Sequence, residues 1–597
     1  MTEKTMRRIA IFFSLIFLLF SSTSAFAAEF STAYDVTYQV NESGITTVVN
    51  QISLINLKSD LYAKEYSLII SSEKIDNIKA NDSLGPLQLK VNKKDGSTEI
   101  KVSFNEKIVG SGKVLTFTLS YDTAELSTKQ GRIWEINIPA PIKEKTVSNY
   151  KITLSVPKSF GSPAYLKPQP AYGLTWTSEK TSSPITVGFG QYQSLDFQLK
   201  YHLKNSSLTP RLYQFPLPAE TLYQKIVLEN LSPLPENIIL DEDNNWLAQY
   251  HLHPQQTLDV LATGSAFLFL EKRDDYPLTD FSLEKYLKAE KFWEKDDPEI
   301  IKLAQELKTP AKIYQYVVNT LTYDLQRVAE KSERLGAKTI LKSPSKATCM
   351  EFTDLFIALC RAAGIPAREI NGLGFSNNPQ LKPLSLAEDF LHAWSEYYDF
   401  DKKNWIPVDP TWEKTTGGVD YFHHLDFNHF TLVTHGLSSE TPVPEKSIKI
   451  DFSQKELPQS KENFKLLVNF PKKIVAGRTI RGEVEVQNLG REAILGRNLK
   501  ILSSNFSPNS QNFNLFFLPP YGHQVFSLAY PSKNLLFWGE NEFRAQLGAS
   551  EENWQVKIEP WPVVYLPHLL AISFALSILC LSILLFKRNL TAANDEV

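Results

Sequence analysis

One cysteine stands where a helix is expected to begin. In the run Thr348-Cys349-Met350-Glu351, threonine occupies the N-cap position and glutamate follows three residues later, which is the spacing of a capping box. Cys349 is therefore predicted at the first helical position, where free backbone N–H groups and the helix dipole favour a thiolate. The thiolate is the form of cysteine that attacks a carbonyl carbon. A small buried residue near a helix end is the structural alternative.

A histidine and an aspartate are predicted to face each other across a β-hairpin. One short strand-like segment begins at His392, a second ends at Asp409, and a polar turn separates them. A loop centred between Phe400 and Asp401 would place His392 directly opposite Asp409, with Cβ atoms about 4.5–5.5 Å apart. The carboxylate would then fix the imidazole tautomer and raise its basicity. A thiol near the far side of the ring would complete a catalytic triad, whereas a lone histidine is usually structural.

Helical spacing on both sides of the cysteine supplies the elements that would position it. Thr309 and Pro310 are typical of an N-cap followed by proline at the first helical position. Apolar residues then recur with the period of one helix face. They are Ile313, Val317 and Leu321 in this first helix, and Phe352, Phe356, Leu359 and Ala363 in the helix predicted for residues 349–363.

Four motifs together resemble the transglutaminase-like superfamily over roughly residues 300–430. They are TCMEF at 348–352, LCRAAGIPAR at 359–368, HAW at 392–394 and WIPVDPT at 405–411. The resemblance implies a papain-like α+β core in which Cys349 is the nucleophile, His392 the base and Asp409 the orienting carboxylate. It also implies attack on a carboxamide to give a thioester, after which water or an amine decides between hydrolysis and transfer. One departure is Ala347, where the family usually has glycine two residues before the cysteine.

Six further side chains are weaker candidates. Three tryptophans are candidate walls of a substrate cleft, with core packing as the alternative: Trp394, Trp405 and Trp412. Three histidines cluster after the triad without the spacing of a metal site, and they are interpreted as exposed loop residues: His423, His424 and His429. Neither a metal nor a cofactor is expected.

Two terminal segments predict export and membrane anchoring. Residues 1–28 combine a basic start, a short apolar run and an Ala-Phe-Ala site, as a cleaved secretory signal peptide does; an uncleaved anchor is the alternative. Residues 563–586 lack Asp, Glu, Lys and Arg over the length of a membrane span. Lys587 and Arg588 follow, so residues 587–597 are predicted to be a cytoplasmic tail and the bulk of the chain extracytoplasmic.

Composition and residue periodicity predict a multidomain protein. The chain has 597 residues, too many for one core, and a net charge of −3 that gives no indication of nucleic-acid binding. Alternating apolar residues predict antiparallel sheets on both sides of the helical region. The expected layout is a β-sandwich at 29–205, a small β module at 206–272, the transglutaminase-like domain at 273–436, a linker at 437–461 and an immunoglobulin-like domain at 462–560.

These features predict a membrane-anchored thiol enzyme that acts on amide bonds of exported proteins or peptides. A peptidase or amidase is favoured over a cross-linking acyl transferase. The alternatives are a non-catalytic surface scaffold that keeps the fold, and an adhesin that uses its β domains. The three cysteines predict no disulfide in the exported part, because Cys349 and Cys360 share a helix and Cys580 lies in the membrane segment.

Overall fold

The computed structural model describes residues 29–594, and gaps in the description fall at 143, 179–182, 278–281, 331, 376–390, 460–461, 505, 507–509 and 532–537. The predicted signal peptide at 1–28 lies outside the described residues, as do residues 595–597. The described part of the chain forms two compact units, which divide so that residues up to 129 and residues 134–187 belong to the first, and residues 130–133 and those from 188 onward belong to the second.

The first unit is built of β-strands, and its largest sheet has the order β13-β11-β1-β2-β8-β4-β5. The strands are β1 Phe30–Val40, β2 Thr46–Asn56, β3 Glu65–Ile70, β4 Ile75–Asp82, β5 Gly85–Pro86, β6 Gln88–Lys94, β7 Ser97–Ser103, β8 Val114–Thr123, β9 Ser127–Gln130, β10 Ile133–Ile138, β11 Val147–Ser155, β12 Pro163–Lys167, β13 Thr175–Thr177 and β14 Ile185–Phe189. A 3₁₀ turn spans Lys158–Phe160. β1 pairs antiparallel with β2 and parallel with β11. The predicted alternation is confirmed in β1, where Tyr34, Val36, Tyr38 and Val40 are buried.

The second unit begins with a β module that starts earlier than the predicted residue 206. Its strands are β15 Gln193–Lys204, β16 Arg211–Leu217, β17 Gln224–Ser232, β18 Asn237–Leu240, β19 Trp246–Leu252 and β20 Thr257–Leu268. β15 belongs here because it pairs along its length with β20. Ile448–Ser453, inside the predicted linker at 437–461, adds a further strand to β15. The boundary at 205/206 and the linker interpretation are both corrected, since polar composition did not reveal this strand pairing.

Short helices follow and surround one fully buried helix. They are α1 Pro298–Leu307, α2 Pro310–Thr320, α3 Leu325–Ala329, α4 Ala337–Lys342 and α5 Cys349–Ala362, with 3₁₀ turns at Leu283–Leu287 and Pro344–Lys346. Thr309 caps α2 as predicted, because its side chain accepts a hydrogen bond from the Lys312 N–H. Almost every side chain of α5 is buried, and Phe352, Leu355, Phe356 and Leu359 lie in the apolar core that α5 shares with α1, α2 and α4.

A four-stranded antiparallel sheet packs against α5. Its strands are β21 Ala367–Gly374, β22 Leu391–Asp399, β23 Asn404–Val408 and β24 His429–His435, in the order β23-β22-β21-β24, and the helix α6 Pro410–Thr415 follows β23. A helix buried against an antiparallel sheet agrees with the predicted α+β core. The sheet also contributes Leu373, Phe430 and Leu432 to the core of the β module.

The remaining strands form two sheets that enclose one apolar core, as in a sandwich. After β25 Ile448–Ser453 they are β26 Phe464–Asn469, β27 Lys473–Val475, β28 Thr479–Asn488, β29 Ile494–Ser503, β30 Ser510–Leu518, β31 His523–Pro531, β32 Gly539–Leu547 and β33 Ser550–Glu559. The predicted inward residues Ile480, Val484 and Val486 are buried. The assignment to the immunoglobulin-like class stays a prediction.

The last helix, α7 Trp561–Asn594, contains a segment long and apolar enough to cross a membrane. That segment, Trp561–Arg588, includes an 18-residue stretch that has a mean hydropathy of 2.7 and is not buried against protein. It contains the predicted span at 563–586. Length and composition are therefore compatible with a membrane anchor, and its orientation stays a prediction.

A glycine of β21 tests how tightly the sheet is packed. A Cβ atom on Gly372 would lie 2.0 Å from the Phe430 carbonyl oxygen and 2.6 Å from the Trp394 ring. Gly372→Ala is therefore expected to destabilise the protein by about 1–3 kcal/mol, measured by denaturant unfolding of the full-length chain in detergent. The control is Gly364→Ala, where φ is +80° and nothing lies within 4 Å; backbone strain alone should remove about 1–2 kcal/mol there. Wild-type stability of Gly372→Ala would contradict the packing.

Candidate active site

Cys349 begins α5, as the capping pattern predicts. The buried Glu351 carboxylate accepts hydrogen bonds from the Thr348 backbone N–H at 2.8 Å and from the Thr348 hydroxyl at 2.6 Å. Arg327 Nη1 lies 3.2 Å from the same carboxylate. These contacts fix the first turn of the helix, while the Cys349 residue itself keeps 8% of its surface exposed.

His392 lies between the thiol and a carboxylate. It stands on β22 opposite Gly372, and its Nε2 is 2.9 Å from Asp409 Oδ2. The imidazole is also hydrogen-bonded to Cys349. Because Asp409 occupies Nε2, the nitrogen left for the thiol is Nδ1. The structure therefore brings the three predicted residues together in the order sulfur, imidazole, carboxylate.

The hairpin that carries two of these residues has a different register from the predicted one. Glu396 pairs with Pro407 and Asp399 pairs with Asn404, so the loop is centred between Asp401 and Lys402 instead of one residue earlier. The prediction that His392 and Asp409 lie directly opposite each other is wrong. The shift moves the pairing by two residues, which keeps side chains on the same face of the sheet. The two side chains can still meet because Asp409 lies beyond the last strand pair, at the start of α6.

Asp409 is held by its backbone and by both carboxylate oxygens. Its Oδ1 accepts the N–H groups of Thr411 and Trp412 at 2.9 and 3.0 Å, which makes Asp409 the N-cap of α6. The Tyr314 hydroxyl donates to the Asp409 carbonyl at 2.9 Å. Oδ2 remains directed at His392. A residue that caps a helix and orients an imidazole has little rotational freedom.

The protonation of His392 follows from its neighbours. Burial alone lowers the pKa of this imidazole, but the Asp409 carboxylate and the Cys349 contact outweigh burial and raise the pKa to about 10. Burial also acts to raise the pKa of Asp409, yet the cationic His392 and hydrogen bonds from His392 and His429 hold it well below its usual range. At neutral pH the pair is therefore an imidazolium beside a carboxylate.

The three predicted cleft tryptophans are buried, and they have different neighbours. Trp412 stacks on His392 with ring centroids 5.3 Å apart, and Trp394 stacks on the same ring at 5.9 Å. Trp405 instead packs against Tyr286, under the Arg368 guanidinium. The structure thus places Trp412 and Trp394 around the imidazole. The expectation that Trp405 walls a cleft is wrong, because its side of the strand faces a separate apolar cluster.

The interpretation of the three histidines as exposed loop residues is correct for His423 and wrong for His429. His423 is exposed and pairs with Asp420. His429 begins β24, and its side chain is only 3% exposed. Its Nε2 lies 3.2 Å from Asp409 Oδ2, so Asp409 faces two imidazoles. The run of alternating apolar residues that follows His429 was the available signal that it belongs to a strand.

His392, Asp409 and His429 also present one potential metal-ligand atom each, all within 4.8 Å of one another. A site of two imidazoles and a carboxylate suits Zn²⁺ or another first-row transition metal. In this structure the same atoms are joined by the hydrogen bonds described above.

Ala347 fits its position without requiring glycine. Its φ of −83° and ψ of 137° are extended values that any residue adopts. The side chain is buried, and the backbone forms a parallel bridge with Tyr323. Tyr323 is thereby held near the nucleophile. Burial raises its pKa, and the charges of Cys349 and Asp409 raise it further, so the phenol stays protonated.

A cavity of about 430 Å³ lies next to this group of side chains. Its wall includes Trp394, Glu396, Asp426 and His429, together with the end of β20. Trp394 therefore lines a cavity, and the role of that cavity as a substrate cleft stays a prediction.

Comparison with known proteins finds a family similarity in part of the chain. Residues 299–410 match the transglutaminase-like superfamily. The kyphoscoliosis peptidase of Mus musculus is 25% identical over 135 residues, 22% of this chain and 19% of that protein. The Homo sapiens kyphoscoliosis peptidase is 28% identical over 134 residues, with the same coverage. The chain thus spans about a fifth of the length of these relatives.

Among solved structures, a candidate cysteine protease from Cytophaga hutchinsonii is similar at 17% identity. The likeness covers 44% of this chain and 86% of that one, with a TM-score of 0.30.

The raised pKa of His392 predicts a pH-dependent stability. The unfolded imidazole titrates near 6.5 and the folded one near 10. Between these values the folded state holds a proton that the unfolded state has lost, so raising the pH through this window lowers the free energy of unfolding. The stability advantage of wild type over His392→Gln should therefore shrink from pH 6.5 to 10, measured by thermal unfolding of both chains. A difference that stays constant across this window would contradict the raised pKa.

Proposed function

We propose that this chain, whose residues 299–410 form a transglutaminase-like domain, is a membrane-anchored thiol enzyme acting on amide bonds of exported proteins or peptides. The observation that carries the proposal is the buried His392, which contacts Cys349 on one side and Asp409 on the other. An imidazolium held beside a thiol favours the thiolate, and the thiolate is the attacking form.

The chemistry proceeds in two steps. Cys349 Sγ attacks the carbonyl carbon of a carboxamide, and the C–N bond breaks as the His392 imidazolium gives its proton to the leaving nitrogen. This leaves a thioester and a neutral imidazole. His392 then removes a proton from water or from an amine, whose oxygen or nitrogen attacks the thioester and expels the thiolate. Asp409 fixes the ring and stabilises its cationic form in both steps.

The developing oxyanion needs hydrogen-bond donors. The Cys349 backbone N–H is one candidate, because the first N–H groups of a helix lack intrahelical acceptors. The electrostatic effect of the helix N-terminus acts in the same direction. Both contributions come from the fixed first turn of α5.

Hydrolysis is the favoured outcome of the second step. The relatives that match this domain are named peptidases, and water needs no dedicated binding site for a second substrate. Peptidase or amidase activity is therefore proposed ahead of acyl transfer to an amine.

Trapping the thioester tests the proposal. Full-length chain in detergent is incubated with a library of glutamine-containing peptides, quenched in acid and digested, and the mass of the peptide carrying Cys349 is measured. An acyl adduct on Cys349 is expected in wild type and should vanish in His392→Ala. Cys360 provides the matched control, because it is a second buried cysteine on the same helix whose pKa is raised by burial; it should stay unmodified, and Cys360→Ala should still form the adduct.

Two outcomes would contradict the enzymatic proposal. One is the absence of an adduct together with alkylation of Cys349 by iodoacetamide no faster than that of a free thiol. The other is an adduct that forms equally in wild type and His392→Ala. The first result would favour the scaffold alternative, and the second would show that Cys349 reacts without help from His392.

The predicted topology is tested separately with a membrane-impermeant maleimide. Leu208→Cys places a thiol at a position 86% exposed in the β module, and Val597→Cys places one at the chain end. Labelling of Leu208→Cys on intact cells, with Val597→Cys labelled only after permeabilisation, is expected from the basic residues that follow the span. The reverse pattern would contradict an extracytoplasmic site.

A further inference from the structure

We propose that His429 is a positioning residue of the site, which clamps Asp409 in the orientation that serves His392. This inference rests on the proposed function and extends the triad to a chain of five residues: Cys349, His392, Asp409, His429 and Asp426. His429 acts on the reaction only through the Asp409 carboxylate.

The two imidazoles share one oxygen of Asp409. His392 Nε2 and His429 Nε2 lie 2.9 and 3.2 Å from the same atom, Oδ2. The Asp409 side chain has no exposed surface. A buried carboxylate without sufficient donors is strongly unfavourable, so the His429 N–H replaces the water that would otherwise solvate Oδ2. The same hydrogen bond also restricts rotation of the Asp409 carboxylate.

His429 is itself fixed from its opposite nitrogen. Its Nδ1 lies 3.0 Å from Asp426 Oδ1, and Asp426 Oδ2 accepts a hydrogen bond from the Tyr421 hydroxyl at 2.9 Å. The imidazole therefore bridges two carboxylates, with one ring nitrogen within hydrogen-bond distance of each. The Tyr421 carbonyl in turn accepts the Asp409 backbone N–H at 3.1 Å. The hydrogen bonds therefore close a ring that starts and ends at Asp409.

Trp412 packs on both imidazole rings and holds them in place relative to each other. Its ring centroid is 5.3 Å from that of His392 and 4.4 Å from that of His429. Displacing His429 would therefore loosen the hydrogen bond to Asp409 and the packing around His392 together. The triad therefore depends on His429, which lies in β24, outside the hairpin of β22 and β23.

Two variants separate positioning from mere stability. His429→Leu removes both ring nitrogens and their hydrogen bonds. His429→Gln keeps one amide donor, which can serve only one of the two carboxylates.

The readout is the rate of Cys349 alkylation by iodoacetamide at pH 7, followed by peptide mass spectrometry on the full-length chain in detergent. His429→Leu should slow alkylation about tenfold or more, because loosening the His392–Asp409 pair displaces the imidazole that contacts the Cys349 thiol. His429→Gln should fall between His429→Leu and wild type. Melting temperatures identify any variant that fails to fold.

His202 supplies a matched control, since it forms an exposed imidazole–carboxylate pair with Asp259 at 2.6 Å. His202→Gln should alkylate at the wild-type rate. Folded His429→Leu or His429→Gln that alkylates within twofold of wild type would overturn the inference. So would slowing of the wild type by EDTA with recovery in Zn²⁺, because His429 would then be a metal ligand.

These outcomes are distinct from failure of the proposed function. If wild-type Cys349 reacts no faster than the His392→Ala variant, the reactive thiol itself is absent. If the wild type is fast and His429→Leu equals it, the triad stands and only the role of His429 fails.

Discussion

A single buried carboxylate constrains the whole site. Asp409 accepts hydrogen bonds from two backbone N–H groups through Oδ1 and from two imidazoles through Oδ2. Removing an ionised carboxylate from water is costly unless donors of this number replace the solvent. The same requirement that keeps Asp409 satisfied also fixes where His392 must lie. The hydrogen bonds that stabilise the buried Asp409 carboxylate are therefore the same ones that orient His392.

The helix that presents the sulfur is anchored as firmly as the carboxylate. Below its first turn, Asp354 accepts hydrogen bonds from the Trp293 indole and from Arg334, and Arg334 also pairs with Glu369 of β21. All of these carboxylates are buried, so the ion pairs tie α5 to the sheet through groups that cannot easily be resolvated. Such pairs are weak sources of net stability but strong determinants of geometry. The distance between Cys349 and the sheet is set in this way.

The β module contributes to the site without lining the triad. Gln224 of β17 both donates to and accepts from the backbone of Thr431 at 2.9 Å. Asn245 does the same for Thr434 at 2.8 Å. These amide side chains hydrogen-bond the backbone of β24 as a neighbouring strand would. β24 is the strand that begins with His429. The module is therefore part of the scaffold that places the second imidazole.

The sequence by itself determined the features that depend on neighbouring residues. The start of α5 at Cys349 follows from Thr348 and Glu351, and the buried faces of α2, α5 and the strands follow from their periodicity. The sequence also predicted that His392 and Asp409 lie on the same face of the hairpin, because side chains alternate between the two faces of a strand. Family motifs then supplied the roles of the three residues.

Only the tertiary structure decided which distant groups meet. The hairpin register differs by two residues from the predicted one, and Asp409 serves as the cap of α6 instead of pairing across the strands. His429 reaches the carboxylate through β24, and the strand at 448–453 joins a sheet whose other members end near residue 268. No local pattern encodes such contacts. These contacts form because buried polar groups need hydrogen-bond partners, which they meet only when the chain is folded.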